Sequence, residues 1–162
     1  MNPEIEKIWN VLQEVPDPEI PVISVVELGV VRAIEKSGEK IIVSVTPTYT
    51  GCPAMKMMED DIVSKLKEKG YTDIQLRTVL SPAWTTDWLS DATKEKLRRY
   101  GIAPPEKSTA DKNALLGKPR EVKCPRCGSA HTSMISQFGS TACKALWKCD
   151  DCQEPFDYFK CI

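Results

Sequence analysis

The chain has 162 residues, 41% of them hydrophobic and 28% charged, with a formal net charge of −1 at pH 7. That is enough apolar material for one domain or two small ones, yet no run approaches the ~20 apolar residues of a membrane span. The near-neutral balance gives no general attraction for nucleic acid or anionic lipid, and the acidic start, Asn2 to Glu6, lacks a secretory pattern, so a cytoplasmic location is expected.

Ile5, Ile8, Trp9 and Leu12 make one apolar stripe and predict a helix over 3–15, ended by Val15-Pro16. Asp17-Pro18-Glu19-Ile20-Pro21 is then a stiff segment holding two carboxylates, and its plain reading is a helix-to-strand connection with solvated acids. Val22 to Leu28 is apolar and Gly29 breaks it. Val30 to Glu35 reads as a strand, Ser37-Gly38-Glu39 as a hairpin turn, and Lys40 to Thr46 as a second strand with period-two alternation.

Pro47 delivers the chain into Thr48-Tyr49-Thr50-Gly51-Cys52-Pro53-Ala54, which holds the only cysteine of the first 120 residues. Pro53 suits the first position of a helix, which makes Cys52 the expected N-cap. A sulfur there faces free backbone N–H groups and the positive end of the helix dipole, both of which favour thiolate over thiol. The competing reading is a small buried hydrophobe that precedes a helix. Ala54 to Lys69 is the helix, with Met55, Met58, Ile62 and Leu66 as its stripe, acids early, lysines late and Gly70 as its stop.

Asp73 to Leu80 is a third strand. The fold class expected is α+β, a small mixed sheet with helices on one face, followed by a metal module. Trp84 and Trp88 cap the core, cover the cysteine loop or form a partner surface. Asp91 to Tyr100 is a short polar helix stopped by Gly101. Residues 102–119 read as a linker with Leu115-Leu116 as its one apolar anchor, so the expected domains are 1–101 and 120–162.

The tail carries Cys124-Pro125-Arg126-Cys127 and Cys149-Asp150-Asp151-Cys152, two Cys-x-x-Cys pairs with 21 residues between them. In a cytosolic chain such cysteines point to metal before disulfides. Four thiolates at this spacing fit tetrahedral zinc, and a segment this short needs such a staple. The architecture expected is a zinc ribbon with strands near 134–138, 145–148 and 156–162. An iron–sulfur cluster could use the same four thiolates. Cys143 reads as a structural thiol or a spare ligand, Cys161 as incidental, and His131 as solvated.

Asp17-Pro18-Glu19, Glu27-Leu28-Gly29-Val30-Val31 and Thr50-Gly51-Cys52-Pro53 resemble the small iron–sulfur-assembly domain of SufT-like proteins and of some Mrp-type carriers. Pro47 to Ala54, Pro82-Ala83-Trp84-Thr85-Thr86-Asp87-Trp88, Gly101 to Pro105, the cysteine pairs, Gln137 to Leu146 and Glu154 to Lys160 are more specifically similar to the PaaD-like components of bacterial phenylacetyl-CoA epoxidase systems. The epoxidase uses a di-iron oxygenase and a reductase with flavin and a [2Fe–2S] cluster. The resemblance implies that this chain is an accessory factor, not an enzyme, that supplies iron–sulfur or iron cofactors. Its expected partners are the reductase or oxygenase components, with a homodimer as a further option and no nucleic acid or membrane.

The residues agree: there is no flavin or dinucleotide fingerprint and no paired Glu-x-x-His. Cys52 would be the cluster ligand, assisted by Asp17, Glu19 and Thr50, and Cys124, Cys127, Cys149 and Cys152 the zinc ligands. One thiolate is too few for four-cysteine ligation, so a cluster on Cys52 would be transient. The alternatives are a structural subunit of the oxygenase with Cys52 inert, an electron-transfer protein with iron on the tail, and a nucleic-acid-binding ribbon. The tail's balance of charges disfavours the last.

Overall fold

The computed structural model describes residues 2–49, 51–105 and 121–160. The chain forms two compact units, one up to Trp84 and one from Thr85.

The first unit contains α1 (Pro3–Leu12), β1 (Val31–Ser37), β2 (Lys40–Val45), α2 (Ala54–Glu68) and β3 (Asp73–Thr78). Asn2 caps α1, its Oδ1 accepting the Glu4 N–H at 2.9 Å. Ile8 and Leu12 are buried, as the stripe predicts. The helix closes three residues before the expected end, because the Glu14 and Val15 N–H groups bond to Val11 and Leu12 in tighter turns. The Val22 to Leu28 run is irregular but buried in part. Ser24 and Glu27 form a reciprocal cap: Glu27 Oε2 accepts the Ser24 N–H at 2.9 Å, and Ser24 Oγ accepts the Glu27 N–H at 3.1 Å. Glu27 thus serves the local backbone.

The sheet order is β1-β2-β3. β1 and β2 form the expected hairpin across Gly38, whose φ of +62° suits glycine. β3 returns parallel to β2, setting Ile41 beside Ile74 and Val43 beside Leu76, and α2 makes the crossover that parallel strands require. Ile41, Val43 and Val45 are fully buried in the central strand. Ala54, Met58, Ile62 and Leu66 line the buried face of α2, and α1 packs on α2 and β1. Lys65 reaches Glu14 at 2.8 Å to tie α2 to the end of α1. α2 ends in a Schellman motif: the Tyr71 N–H bonds to the Leu66 carbonyl at 3.1 Å and the Gly70 N–H to Lys67 at 3.0 Å. Trp84 is buried and donates its indole N–H to the Leu28 carbonyl at 2.9 Å, so it does cap the core.

The second unit contains a single 3₁₀ turn (Thr86–Trp88), α3 (Asp91–Tyr100), β4 (Ile102–Ala103), β5 (Thr132–Ser136), β6 (Lys144–Cys149) and β7 (Pro155–Phe159). Ser90 caps α3 through the Thr93 N–H at 3.1 Å, and Gly101 closes it at φ +94°. Two features differ from the expectation. α3 packs on β4 and falls with the second unit, where a boundary at 101 would set it with the first. Ile102 and Ala103 are not linker: they pair in parallel with Asp157 and Tyr158 and extend the ribbon. Both are buried, and burial in a sheet is what turns a short apolar pair into a strand. The remainder of the expected linker from Glu106 to Pro119, including Leu115-Leu116, lies outside the described residues.

The sheet order is β4-β7-β6-β5, with the last three strands antiparallel neighbours. Its core is small: Ala103, Val122, Ala145, Trp147, Phe156 and Tyr158 together with Cys124 and Cys149. Trp147 and Tyr158 pack edge-to-face with ring centroids 6.0 Å apart. Among the described residues no helix is long and apolar enough to cross a membrane.

Candidate functional site

Two cysteine sites stand out, one in each unit. In the first, β2 delivers the chain through the loop to α2. Gly51 sits at φ +77°, where a side chain would be strained. The N-cap is Pro53 rather than Cys52. Pro53 already has helical dihedrals of φ −67° and ψ −23°, and it makes no side-chain cap. Proline's fixed φ suits this position as well as the next, so Cys52 lies one residue further out than expected. Its carbonyl accepts the Met55 N–H at 3.2 Å and its own N–H bonds to Tyr49 at 3.3 Å, which holds the Cys52 backbone at the entrance of α2. Cys52 is 9% exposed. Acidic residues are absent from the first turn of α2, which carries Lys56 instead, bonded to Asp60.

Asp17 is buried, and its Oδ1 accepts the Glu19 N–H at 2.9 Å and the Ile20 N–H at 2.6 Å. That is an Asx-type turn among prolines, the connecting role of the plain reading, although the carboxylate is buried where it was expected in solvent. Glu19 is half-buried. Thr50 lies outside the described residues.

The second site is the four-cysteine cluster. The sulfurs of Cys124, Cys127, Cys149 and Cys152 all lie within 4.8 Å of one another. Cys124 and Cys152 are 3.7 Å apart, and Cys127 and Cys149 are 3.5 Å apart. Each pair sits in its own tight turn, and the two turns match. The Cys124 N–H bonds to the Ser129 carbonyl at 2.9 Å, and the Cys149 N–H to the Glu154 carbonyl at 3.0 Å. Gly128 follows the first pair at φ +76°, and Gln153 follows the second at φ +63°. The glycine was legible as a turn residue. A glutamine in the left-handed region was not, since only its equivalence to Gly128 in space reveals it.

The sulfurs do not share one protonation behaviour. The Cys152 N–H donates to Cys149, and this chiefly holds the Cys149 thiol down to about 7. At Cys152 the Glu154 backbone pulls downward, but burial and the neighbouring sulfurs outweigh it and push the thiol up to about 12. At Cys127 the Ser129 backbone pulls downward, and again the neighbours win and raise it. Crowded thiolates repel one another, so a fully ionised set calls for a cation among them. Zinc–sulfur bonds of about 2.3 Å set tetrahedral sulfur–sulfur edges of about 3.8 Å, close to the two separations seen. The donor set therefore fits one tetrahedral ion. A polynuclear cluster would spread the thiolates around several irons.

Cys143 is buried outside this cluster, with its Sγ 3.1 Å from Thr141 Oγ1. His131 is exposed and faces Asp151 at 3.2 Å rather than the sulfurs. Cys161 lies outside the described residues.

Residues 5–73 match the family described as iron–sulfur cluster assembly protein, and residues 108–160 match the PaaD zinc beta ribbon domain. A relative from Escherichia coli K12, whose name describes it as a putative subunit of a 1,2-phenylacetyl-CoA epoxidase, is 49% identical over 160 residues, covering 99% of this chain and 94% of the relative. A crystal structure of a domain of unknown function, DUF59, from Bacillus anthracis is 25% identical with a TM-score of 0.54, covering 57% of this chain and 90% of that one. A conserved hypothetical protein from Thermotoga maritima is 29% identical with a TM-score of 0.49, over 57% of this chain and 91% of that one.

Proposed function

Since this chain belongs to the PaaD family of phenylacetyl-CoA epoxidase components, we propose that it is a cytoplasmic accessory factor that matures an iron–sulfur or iron cofactor of that system through Cys52. The observation that carries the reading is the match of residues 5–73 to an iron–sulfur cluster assembly family, a segment whose single cysteine is held in a turn at a helix entrance. Iron or a cluster is cargo in this reading. Cys52 lends one thiolate, Gly51 lets the backbone turn beneath it, and the remaining ligands come from the donor or the client. Single-point holding keeps the cargo labile, which transfer requires.

Cys124, Cys127, Cys149 and Cys152 of the second unit would hold a resident zinc ion, which supplies a structural cross-link. Cys124 and Cys149 belong both to that site and to the apolar core, so the metal and the core support each other. The clients are the reductase or the di-iron oxygenase component, and the ribbon supplies the surface that recognises them. Asp17 holds the turn after α1. The relative's designation as a subunit favours a second reading, a structural member of the oxygenase complex with Cys52 inert.

One experiment separates the two. The reductase and oxygenase are co-produced with this chain, wild type or Cys52→Ala, and the clients are assayed for iron, acid-labile sulfide and epoxidase activity. The maturation reading expects the variant to fold and keep its zinc while the client stays short of iron or sulfide. A fully loaded, active client beside the variant eliminates it in favour of the structural reading. Colour tests the tail: the purified chain with zinc on the four cysteines has no visible absorption, whereas iron there gives a coloured protein.

A further inference from the structure

Among the described residues, the ribbon ends on one side in an open strand edge. β5 is an edge strand in the order β4-β7-β6-β5, and the stretch from Thr132 to Phe138, which is β5 and the two residues after it, carries neither a charge nor a proline. Edge strands normally carry such residues because unpaired backbone invites a further strand. Three of the exposed positions are large and apolar, beside the polar Ser133 and Gln137: Met134 is 55% exposed, Ile135 56% and Phe138 64%. Met134 stands opposite Trp147, and a directly opposed pair shares one face of a sheet. Trp147 is in the core, so the core face continues onto β5 and ends there with nothing over it among the described residues.

The balance of charge at the two ends of β5 differs in sign, although each end also holds an opposite charge, Lys148 across from Ser133 at the start and Asp157 beside Ser140 and Lys144 at the end. At its start Asp150 and Asp151 gather: the Asp150 N–H bonds to the His131 carbonyl at 2.8 Å, and Asp151 lies 3.2 Å from the His131 ring. At its end Lys160 donates to the Gln137 carbonyl at 3.0 Å and lies 4.6 Å from the centre of the Phe138 ring. An antiparallel strand approaching this edge meets an acidic end and then a basic one. A second copy of β5 presents the matching order. Pairing centred on Met134 sets His131 of one copy across from Gln137 of the other, and so brings Asp150 and Asp151 to the Lys160 of the second copy at both ends.

We propose that β5 is the dimer interface of this protein, two copies packing their ribbon edges antiparallel through Met134, Ile135 and Phe138 with Asp150 and Asp151 facing Lys160 at each end. The arrangement is two-fold, so each copy uses its own β5 and the assembly closes at two chains. The bulge between Met134 and Ser136 shortens the regular stretch of β5. Side-chain packing and the end charges therefore carry the contact more than a long ladder does. Such a contact is small and reversible. It stands apart from the reading of Cys52, since it concerns only the ribbon.

The test is sedimentation velocity on the full, zinc-loaded chain from about 1 to 300 μM, the range of weak interfaces. The expected result is a species of twice the 18.1 kDa chain mass that dissociates on dilution and in high salt. Met134→Lys and Ile135→Lys place like charges across the axis and raise the dimer Kd by at least about tenfold, with zinc content and circular dichroism unchanged. Lys160→Glu does the same from the ends, and adding Asp150→Lys restores the dimer, which a merely misfolded edge would not allow. A wild-type chain that is monomeric at every concentration overturns the proposal. So does a dimer indifferent to both the lysine and the charge-swap variants.

Discussion

The two units hold together by different means. The first closes around aliphatic side chains from four elements: Ile8 and Leu12 of α1, Ile34 of β1, Ile41, Val43 and Val45 of β2, and Met58, Ile62 and Leu66 of α2. In the second, the described core cluster at the ribbon includes Cys124 and Cys149, which are also sulfurs of the candidate metal site. Area-driven burial grows with the number of apolar residues a unit can gather. Where few are available, cross-linking through a metal takes over part of that work. The placement of cysteine follows this division: six of the seven lie in the second unit, and the first keeps one, at a helix entrance.

Removing the metal should separate the two units most strongly. Structural zinc contributes on the order of 10–16 kcal/mol in small zinc-dependent modules at neutral pH. A strong chelator, or Cys149→Ala, should therefore abolish slow amide exchange in β5 to β7 while leaving the protection of β1 to β3 and α2 in place. Loss of protection in both units together would show that the first depends on the second. The converse experiment is Leu66→Ala. Leu66 is fully buried and its carbonyl anchors the Schellman motif, so its truncation should cost the first unit about 2–5 kcal/mol, read by chemical denaturation, with zinc content unaltered.

Trp84→Phe is a smaller change that keeps an aromatic ring in place, gives up part of the indole's packing and deletes the donor to Leu28. Leaving that carbonyl unpaired should cost about 1–3 kcal/mol, again confined to the first unit's transition. The smallest effect belongs to Gln153→Gly. At φ +63° a non-glycine residue is strained by about 1–2 kcal/mol, part of which the bond from the Gln153 amide to the Asp150 carbonyl offsets. A gain of up to about 1 kcal/mol in the second unit is expected, seen as a higher chelator concentration at half-unfolding. Gly128→Ala should move the same midpoint the other way.

Much of the first unit was legible because its signals are local. The stripes of α1 and α2, the alternation of β2 and the glycines at 38 and 70 are patterns that neighbouring residues create by themselves. The cysteine pairs were legible for a similar reason: a two-residue spacing already bends the chain into a turn that two thiolates can share. Less accessible was anything that depended on a distant partner. β5 lies at 132–136 and not 134–138 because register against β6 and the bulge set its ends.

The order of residues already carries the identity of the chemistry: a small α+β unit with one thiol at a helix entrance, then four thiols in two pairs. Each is set by residues within a few positions of one another, where propensity and spacing act without help. It took the folded chain to decide that Ile102 and Ala103 join the ribbon and that Pro53, not Cys52, caps α2. The fold also decided that Glu27 closes a turn with Ser24 and that Gln153 copies the role of Gly128. Each of these depends on a burial, a backbone hydrogen bond or a dihedral angle that arises only on folding, and no such constraint is written in the residue it acts on.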